Sequence, residues 1–287
     1  MSIRQLTPFR QVYNAVEALH DCRRMLSELV AAQQAPSSAA AAPVADCPKA
    51  PIAIYDRLGF RLLLDRDSTI DRALIETGEW ESEQLDYFAT LVDRMRGREG
   101  AVFVDVGAYW GLYSLVAHRS GAFATLRAFE ADQHNFSQLQ ANLFLNDAAR
   151  SVQCINKAAS LDDRPLLFRH SGSHADGNRG GSGVLPHDTT LPRVQVPATS
   201  IDAVLADLGD TPRDVLLKID VEGFEAYVLQ GMAETVRRHR VVVQVEIFDL
   251  HAAPAMAQIQ RLGLVQIHRL YPDYWFTNHP DFLPPAG

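Results

Sequence analysis

Hydrophobic positions recur with two different periods along the chain of 287 residues. In the first segment Leu6, Phe9, Val12, Val16, Leu19, Leu26 and Leu29 follow one another at three-, four- and seven-residue steps, which draws one face of a helix over residues 6–30. Such a stripe suits a homodimer contact, a lid over a site, or packing against the rest of its own chain. Residues 31–51, AAQQAPSSAAAAPVADCPKAP, carry almost no charge and no period, and read as an Ala/Pro-rich linker. The pattern thus predicts an N-terminal amphipathic helix (1–30), a linker (31–51) and one large domain (52–287).

From residue 52 onward short apolar runs alternate with amphipathic stretches. Residues 52–55 and 60–64 predict two strands around a turn at Gly59, and 82–95 a helix. Strands are then expected at 101–106, 124–130, 152–156, 215–220, 241–248, 264–270 and 274–277. Helices are expected at 111–120, 135–146, 199–208 with Ser200 or Thr199 as N-cap, 222–239 and 254–262. Between 169 and 188 lies an irregular polar region containing GSHADGNRGGSG. Strands separated by helices build a parallel sheet covered on both faces, and the near-continuous valine run at 241–245 suits a strand buried on both sides. The expected fold is therefore α/β and Rossmann-like, with ligands at the carboxyl ends of the strands.

Composition narrows the field. Apolar residues make up 47% of the chain, enough for a full core. Thirty-five acids against 27 bases give a net charge of −8, which opposes nucleic-acid binding because phosphate neutralisation needs a basic face. Cys22, Cys47 and Cys154 are scattered and odd in number, which argues against a disulfide framework or zinc site and fits a cytoplasmic protein. No apolar run approaches the ~18 residues that a membrane span needs, and MSIRQLTPFR lacks a signal core.

The chemistry sits at strand ends. In VFVDVGAYWGLYS, Asp105 closes a strand, Gly107 permits the turn and Gly111 opens the next helix. The dinucleotide fingerprint G-x-G-x-x-G is not met, since Tyr109 and Trp110 fill the loop and the third glycine is missing. A pyrophosphate would be crowded there, which counts against a nicotinamide dehydrogenase. Glu130 ends the next strand, where a carboxylate binds ribose hydroxyls. A ligand with a ribose and no pyrophosphate is implied, and S-adenosylmethionine meets both conditions. In LLKIDVEGFEAYVLQGM, Lys218 and Asp220 share one face of a strand, and Asp220 or Glu246 must answer the lysine.

With DVGAYWGLYS, AFEADQHNFSQLQANLFLN, TSID at 199–202 and LKIDVEGFEAYVLQG in this order, the chain resembles the FkbM family of S-adenosylmethionine-dependent methyltransferases over about residues 79–246. The resemblance implies a seven-strand class I methyltransferase sheet whose last strand is antiparallel, and O-methylation of a hydroxyl on a sugar or secondary metabolite. This chain departs from the family's usual DVGANIG at Tyr109 and Trp110, and has Ala131–Asp132 in place of the usual proline after the ribose acid. The cofactor surface is expected from Glu81, Asp105, Gly107, Ala108, Tyr109, Gly111, Glu130, Ala131, Asn135, Asn156, Lys157, Ala158 and Asp220. Glu81 would reach the amino-acid end or else stand exposed at a helix start, and Asn156–Ala158 would lie near adenine.

Asp220, Lys218 and Glu246 are the candidate catalytic groups, with Asp220 or Glu246 either taking the acceptor's proton or holding Lys218. Glu222 is expected to cap the following helix. A divalent ion would need Asp220, Glu246 and His251; the Asp-Asn pair of metal-dependent O-methyltransferases is missing, so no metal is expected. His170, His174, His187 and His268 show no ligand spacing. Arg179, in a glycine-rich loop that either closes over the substrate or is a plain insertion, is a candidate contact for an anionic acceptor. Tyr271, Tyr274, Trp275 and Phe276 would either wall an acceptor pocket or fill the core. The partner is a small-molecule acceptor, glycosylated or not. An amine or protein acceptor, and a non-catalytic scaffold that recruits a partner through the N-terminal helix, are the alternatives.

Overall fold

The computed structural model describes residues 51–169, 177–184 and 193–283. The expected N-terminal helix, almost all of the linker, Cys22, Cys47, His170, His174, His187 and residues 171–176 of the glycine-rich loop lie outside the described residues. Contacts divide the chain into Met1–Ala53 and Ile54–Gly287.

In chain order the elements are β1 (Ile52–Arg57), β2 (Phe60–Asp65), α1 (Thr69–Thr77), α2 (Ser82–Met95), β3 (Val102–Val106), α3 (Leu112–Ser120), β4 (Thr125–Phe129), α4 (Gln133–Leu145), β5 (Val152–Ile155), β6 (Ala158–Ala159), β7 (Leu166–Arg169), β8 (Gly183–Val184), β9 (Val194–Val196), β10 (Ala198–Thr199) and α5 (Ile201–Val204). They continue with β11 (Asp214–Ile219), α6 (Glu225–Gln230), α7 (Ala233–Arg238), β12 (Arg240–Glu246), α8 (Ala252–Arg261), β13 (Val265–Leu270) and β14 (Asp273–Thr277). Seven strands form the central sheet in the order β13-β14-β12-β11-β3-β4-β5. β14 runs antiparallel to both of its neighbours, and the strands from β12 to β5 are mutually parallel. This is the class I methyltransferase sheet.

Alternation along β3 shows how the sheet is buried on both sides. Phe103 joins the core beneath β2, α2 and α3, while Val102, Val104 and Val106 join the opposite core beneath α5 to α8. Leu58 and Gly59 both take positive φ, which closes the β1–β2 hairpin in the sense that matches strand twist.

Three expectations at the level of elements change. α1 was not anticipated, because it is only nine residues long and its N-cap, Ser68, follows charged residues. The single helix expected over 222–239 is two, broken at Gly231, where a Cβ would lie 2.0 Å from the Ser160 carbonyl oxygen. The helix expected over 199–208 is a short α5, capped by the Ser200 hydroxyl as expected, followed by a 3-10 turn over Ala206–Leu208. Among the described residues no helix is long and apolar enough to cross a membrane.

Candidate functional site

Strand order reverses between β3 and β11, and the cleft of ≈ 380 Å³ opens at their carboxyl ends, as the switch-point rule requires. The loop from Gly107 to Gly111 forms its inner edge. Gly107 has φ +80° and a Cβ there would stand 1.7 Å from the Asp220 carbonyl oxygen, so only glycine lets the two strand ends meet. Asp105 is 1% exposed. Its Oδ2 accepts hydrogen bonds from the Ser114 amide (3.0 Å) and hydroxyl (2.7 Å), and its Oδ1 is buried without a partner among the described residues. Burial raises its pKa, against the pull of Lys218 and Ser114.

Glu130 follows β4. Its Oε2 accepts from the Tyr109 amide at 2.9 Å and its Oε1 from the Asp132 amide at 2.8 Å. Each oxygen keeps a second acceptor position. Burial pushes this carboxyl up to about 8. Ala131, Asn135, Lys157 and Ala158 line the same end of the cleft.

The opposite end is dominated by carboxylates around one cation. Lys218 is 4% exposed, its Nζ lies 2.8 Å from Asp220 Oδ2 and 4.6 Å from the centre of the Tyr113 ring. Burial works against its charge, but Asp220, Glu81 and Asp273 hold its pKa well above the usual lysine value. Asp220 is held below the usual range by Lys218 despite burial. Glu246 is pushed up to about 10 by burial and by Asp220, so at neutral pH it carries a proton and donates it to Asp220. Glu81, the residue preceding α2, is not an exposed acid: its carboxylate accepts from Tyr113 Oη at 2.7 Å and Trp80 Nε1 at 3.0 Å, and burial raises its pKa. Asp220, Glu222 and Glu246 bring carboxylate oxygens within 4.8 Å of one another. His251 is outside that group and rests against Gly223.

A second polar cluster flanks the cleft. Asp71, fully buried on α1, accepts from Tyr109 Oη (2.8 Å), Gln138 Nε2 (2.7 Å), Arg179 Nη2 (3.0 Å) and the Asp65 amide (2.9 Å). Arg179 also reaches Gln138 Oε1 at 2.7 Å. The sequence offered Arg179 as a contact for an anionic acceptor. Here it is 6% exposed and committed to Asp71, so it pins residues 177–184 to α1 and α4.

The structure brings Glu81, Asp105, Gly107, Ala108, Tyr109, Glu130, Ala131, Asn135, Lys157, Ala158, Lys218, Asp220 and Glu246 onto one cleft. It leaves two candidates off the wall. Gly111 precedes α3 and packs toward Leu139, and Asn156 turns back so that its Nδ2 donates to the Glu130 carbonyl at 2.9 Å. Tyr274, Trp275 and Phe276 are core residues on β14, and Tyr271 is half exposed, so none walls the cleft. Glu222 does not cap a helix, since α6 begins at Glu225 and the Gly223 amide donates to Glu225 Oε1. Sequence reasoning missed Thr69, Ile70, Trp80, Phe224 and Phe248 on the walls, which only the tertiary fold brings there.

The donor set fits a ribose-bearing cation. An orphaned carboxylate oxygen at Asp105, free acceptor positions on Glu130, a backbone cradle at Gly107 and an excess of acids over Lys218 would serve an ammonium, ribose hydroxyls and a sulfonium.

Comparison with known proteins gives the family. Residues 105–264 match the methyltransferase FkbM domain. The 31-O-demethyl-FK506 methyltransferase FkbM of Streptomyces tacrolimicus is 31% identical over 197 residues, covering 59% of this chain and 75% of that protein. Among solved structures, a precorrin-6y C5,15-methyltransferase from Geobacter metallireducens overlaps 67% of this chain and 86% of its own at 14% identity and a TM-score of 0.38. The N-terminal domain of human METTL16 in complex with SAH overlaps 68% and 67% at 12% identity and a TM-score of 0.38.

Proposed function

The chain belongs to the FkbM family and is an S-adenosylmethionine-dependent methyltransferase, and on that premise we propose that it methylates a hydroxyl oxygen of a neutral small molecule, a sugar or a secondary metabolite. When bound, S-adenosylmethionine supplies a methyl carbon made electrophilic by a sulfonium. Glu130 would hold the ribose, Asp105 and Glu81 the amino-acid end, and Lys157 with Ala158 the adenine side. The loop at Gly107–Tyr109 would shape the middle. Asp220, Lys218 and Glu246 would stand where the methyl leaves, with the Lys218–Asp220 pair fixing the local field. Holding the reacting atoms in line supplies much of the rate.

The observation that carries the acceptor class is the outer end of the cleft, where Phe224 and Phe248 stand beside Asp220, Glu222 and Glu246. Apolar rings favour an acceptor with an apolar face, and the unpaired Glu222 carboxylate among these acids disfavours phosphorylated or carboxylated ones. The Streptomyces relative is named for 31-O-demethyl-FK506, a compound that lacks an O-methyl group, which supports an oxygen acceptor. We place the protein in the cytoplasm, and propose the N-terminal stripe as its dimer contact.

The test is a panel assay read by mass for a gain of one CH₂: 31-O-demethyl-FK506, neutral methyl glycosides, sugar phosphates, amines and peptides. Product from neutral hydroxyl compounds alone supports the reading. Methylation of amines or peptides instead would overturn it.

A further inference from the structure

We propose that Glu222 is the catalytic base of this reaction, the group that takes the acceptor's hydroxyl proton, and that Asp220 and Glu246 are not. The proposal rests on the hydroxyl-acceptor reading above.

Three geometric observations carry it. First, Glu222 lines the outer end of the cleft next to Phe224 and Phe248, where an acceptor must enter. Second, its carboxylate is uncommitted: the oxygens lie within 4.8 Å of those of Asp220 and Glu246, yet among the described residues no hydrogen bond or ion pair engages them. Asp220, by contrast, accepts from Lys218 at 2.8 Å and from the Glu246 carboxyl. Third, Glu222 has φ +54°, a left-handed backbone that is strained for a residue with a Cβ. Nothing in the local helix uses that conformation, since α6 starts three residues later and is served by Glu225. With that backbone the carboxylate stands at the strand end, beside those of Asp220 and Glu246. A Cβ built on Gly183 of β8 would stand 3.2 Å from the Glu222 Cβ, so the glycine leaves room for the glutamate on that side.

The titration of the neighbours agrees. Glu246 is already protonated at neutral pH and has no free capacity for a proton. Asp220, held below the usual carboxylate range, is too weak a base. Glu222 is the most exposed of the three acids, yet partial desolvation in the cleft, Asp220 and Glu225 raise its pKa to about 7, against Lys218, close to the value at which a base is both ionised and effective near physiological pH. The other charged neighbours are Glu246 across the cleft and His251 beside Gly223, while β8 contributes only Gly183 and Val184. In the step itself the acceptor oxygen forms a bond to the methyl carbon, the carbon–sulfur bond breaks with its electron pair staying on sulfur, and the acceptor's proton passes to Glu222.

Two measurements test this on the full chain. The first needs no turnover: carboxyl bands in infrared difference spectra, followed from pH 5 to 9 in a Glu130→Gln background that removes the other carboxyl raised into this range, should show a group titrating near neutral pH that persists on adding Glu246→Gln and is lost on adding Glu222→Gln. The second uses whichever panel compound the wild type methylates. Glu222→Gln should lower kcat on the order of 10²-fold, erase the rise of rate with pH through neutrality, and leave the affinity for S-adenosylmethionine within about threefold. Glu222→Asp should restore part of the rate. An unchanged pH–rate profile, or an unchanged infrared titration, in folded Glu222→Gln overturns the proposal. So does a wild-type rate abolished by a chelator and restored by magnesium, because Glu222 would then hold a cation. If the wild type methylates no hydroxyl compound on the panel, the hydroxyl reading itself has failed and the proposal with it.

Discussion

Two buried polar clusters border the cleft, and they differ in how their charges are met. Around Asp71, one guanidinium, one phenol, one amide side chain and one backbone amide converge on a single fully buried carboxylate. Around Lys218, one ammonium faces Asp220, Glu81 and Asp273, with Glu246 and Glu222 beyond. In the first cluster the carboxylate is surrounded by donors, with Arg179 Nε alone left without a partner among the described residues, and it acts as a brace, tying residues 177–184 to α1, α4 and the phenol of Tyr109. The second carries more acid than base, so its acids shift upward, hold protons or wait for a cation. Burial is common to both. The balance of charge separates structure from chemistry.

The largest expected effect breaks the first cluster. Asp71→Ala leaves the Arg179 guanidinium buried without its carboxylate, a defect worth about 3–5 kcal/mol. Urea unfolding should show a midpoint lowered accordingly with the slope unchanged. A loss below about 1 kcal/mol would mean that Arg179 finds water or Asp65, which already lies 3.9 Å from Nη2, and that the brace is not built as described.

A smaller effect sharpens the contrast from the other side. Glu246 titrates at about 10 in the fold and near ~4.3 when unfolded. The folded chain therefore binds more protons than the unfolded chain above that lower value, so stability falls as pH rises and levels off beyond about 10. Glu246→Gln keeps a donor toward Asp220 and removes the ionisation. At pH 9 it should be more stable than the wild type, and that advantage should shrink steadily as pH falls toward 5. Equal pH slopes in denaturant titrations would show that Glu246 ionises at an ordinary pH and that the excess of acid is imaginary.

Much of this was legible in the chain. The strand-end acids Asp105, Glu130 and Asp220 are read from apolar runs that stop at a charged residue, because sheet topology forces those ends to one side. Period two alone placed Lys218 and Asp220 on one face, and they do pair. What escaped is set by tertiary neighbours. Asp71 meets partners 38, 67 and 108 residues away, a network that no local pattern announces. The break at Gly231 depends on the Ser160 carbonyl, and Glu222 looks like a helix cap until its backbone angle is seen. Arg179 sits in a glycine-rich stretch that reads as open loop, yet its head is buried. The aromatic run on β14 could be wall or core by composition, and only the seven-strand order puts it inside.

The account turns on ionised Glu130 receiving the ribose of the methyl donor, and calorimetric titration with S-adenosylmethionine at pH 6.5 and 8.5 tests it most directly. Because the Glu130 carboxyl sits at about 8 in the free protein, wild-type affinity should rise between these two values, by no more than about tenfold per unit of pH below that point. Glu130→Gln should bind about 10- to 100-fold more weakly at pH 8.5, the loss of one or two charge-assisted hydrogen bonds, and show no such rise. Equal affinities for the two proteins, or no heat from a folded wild type, would contradict the account.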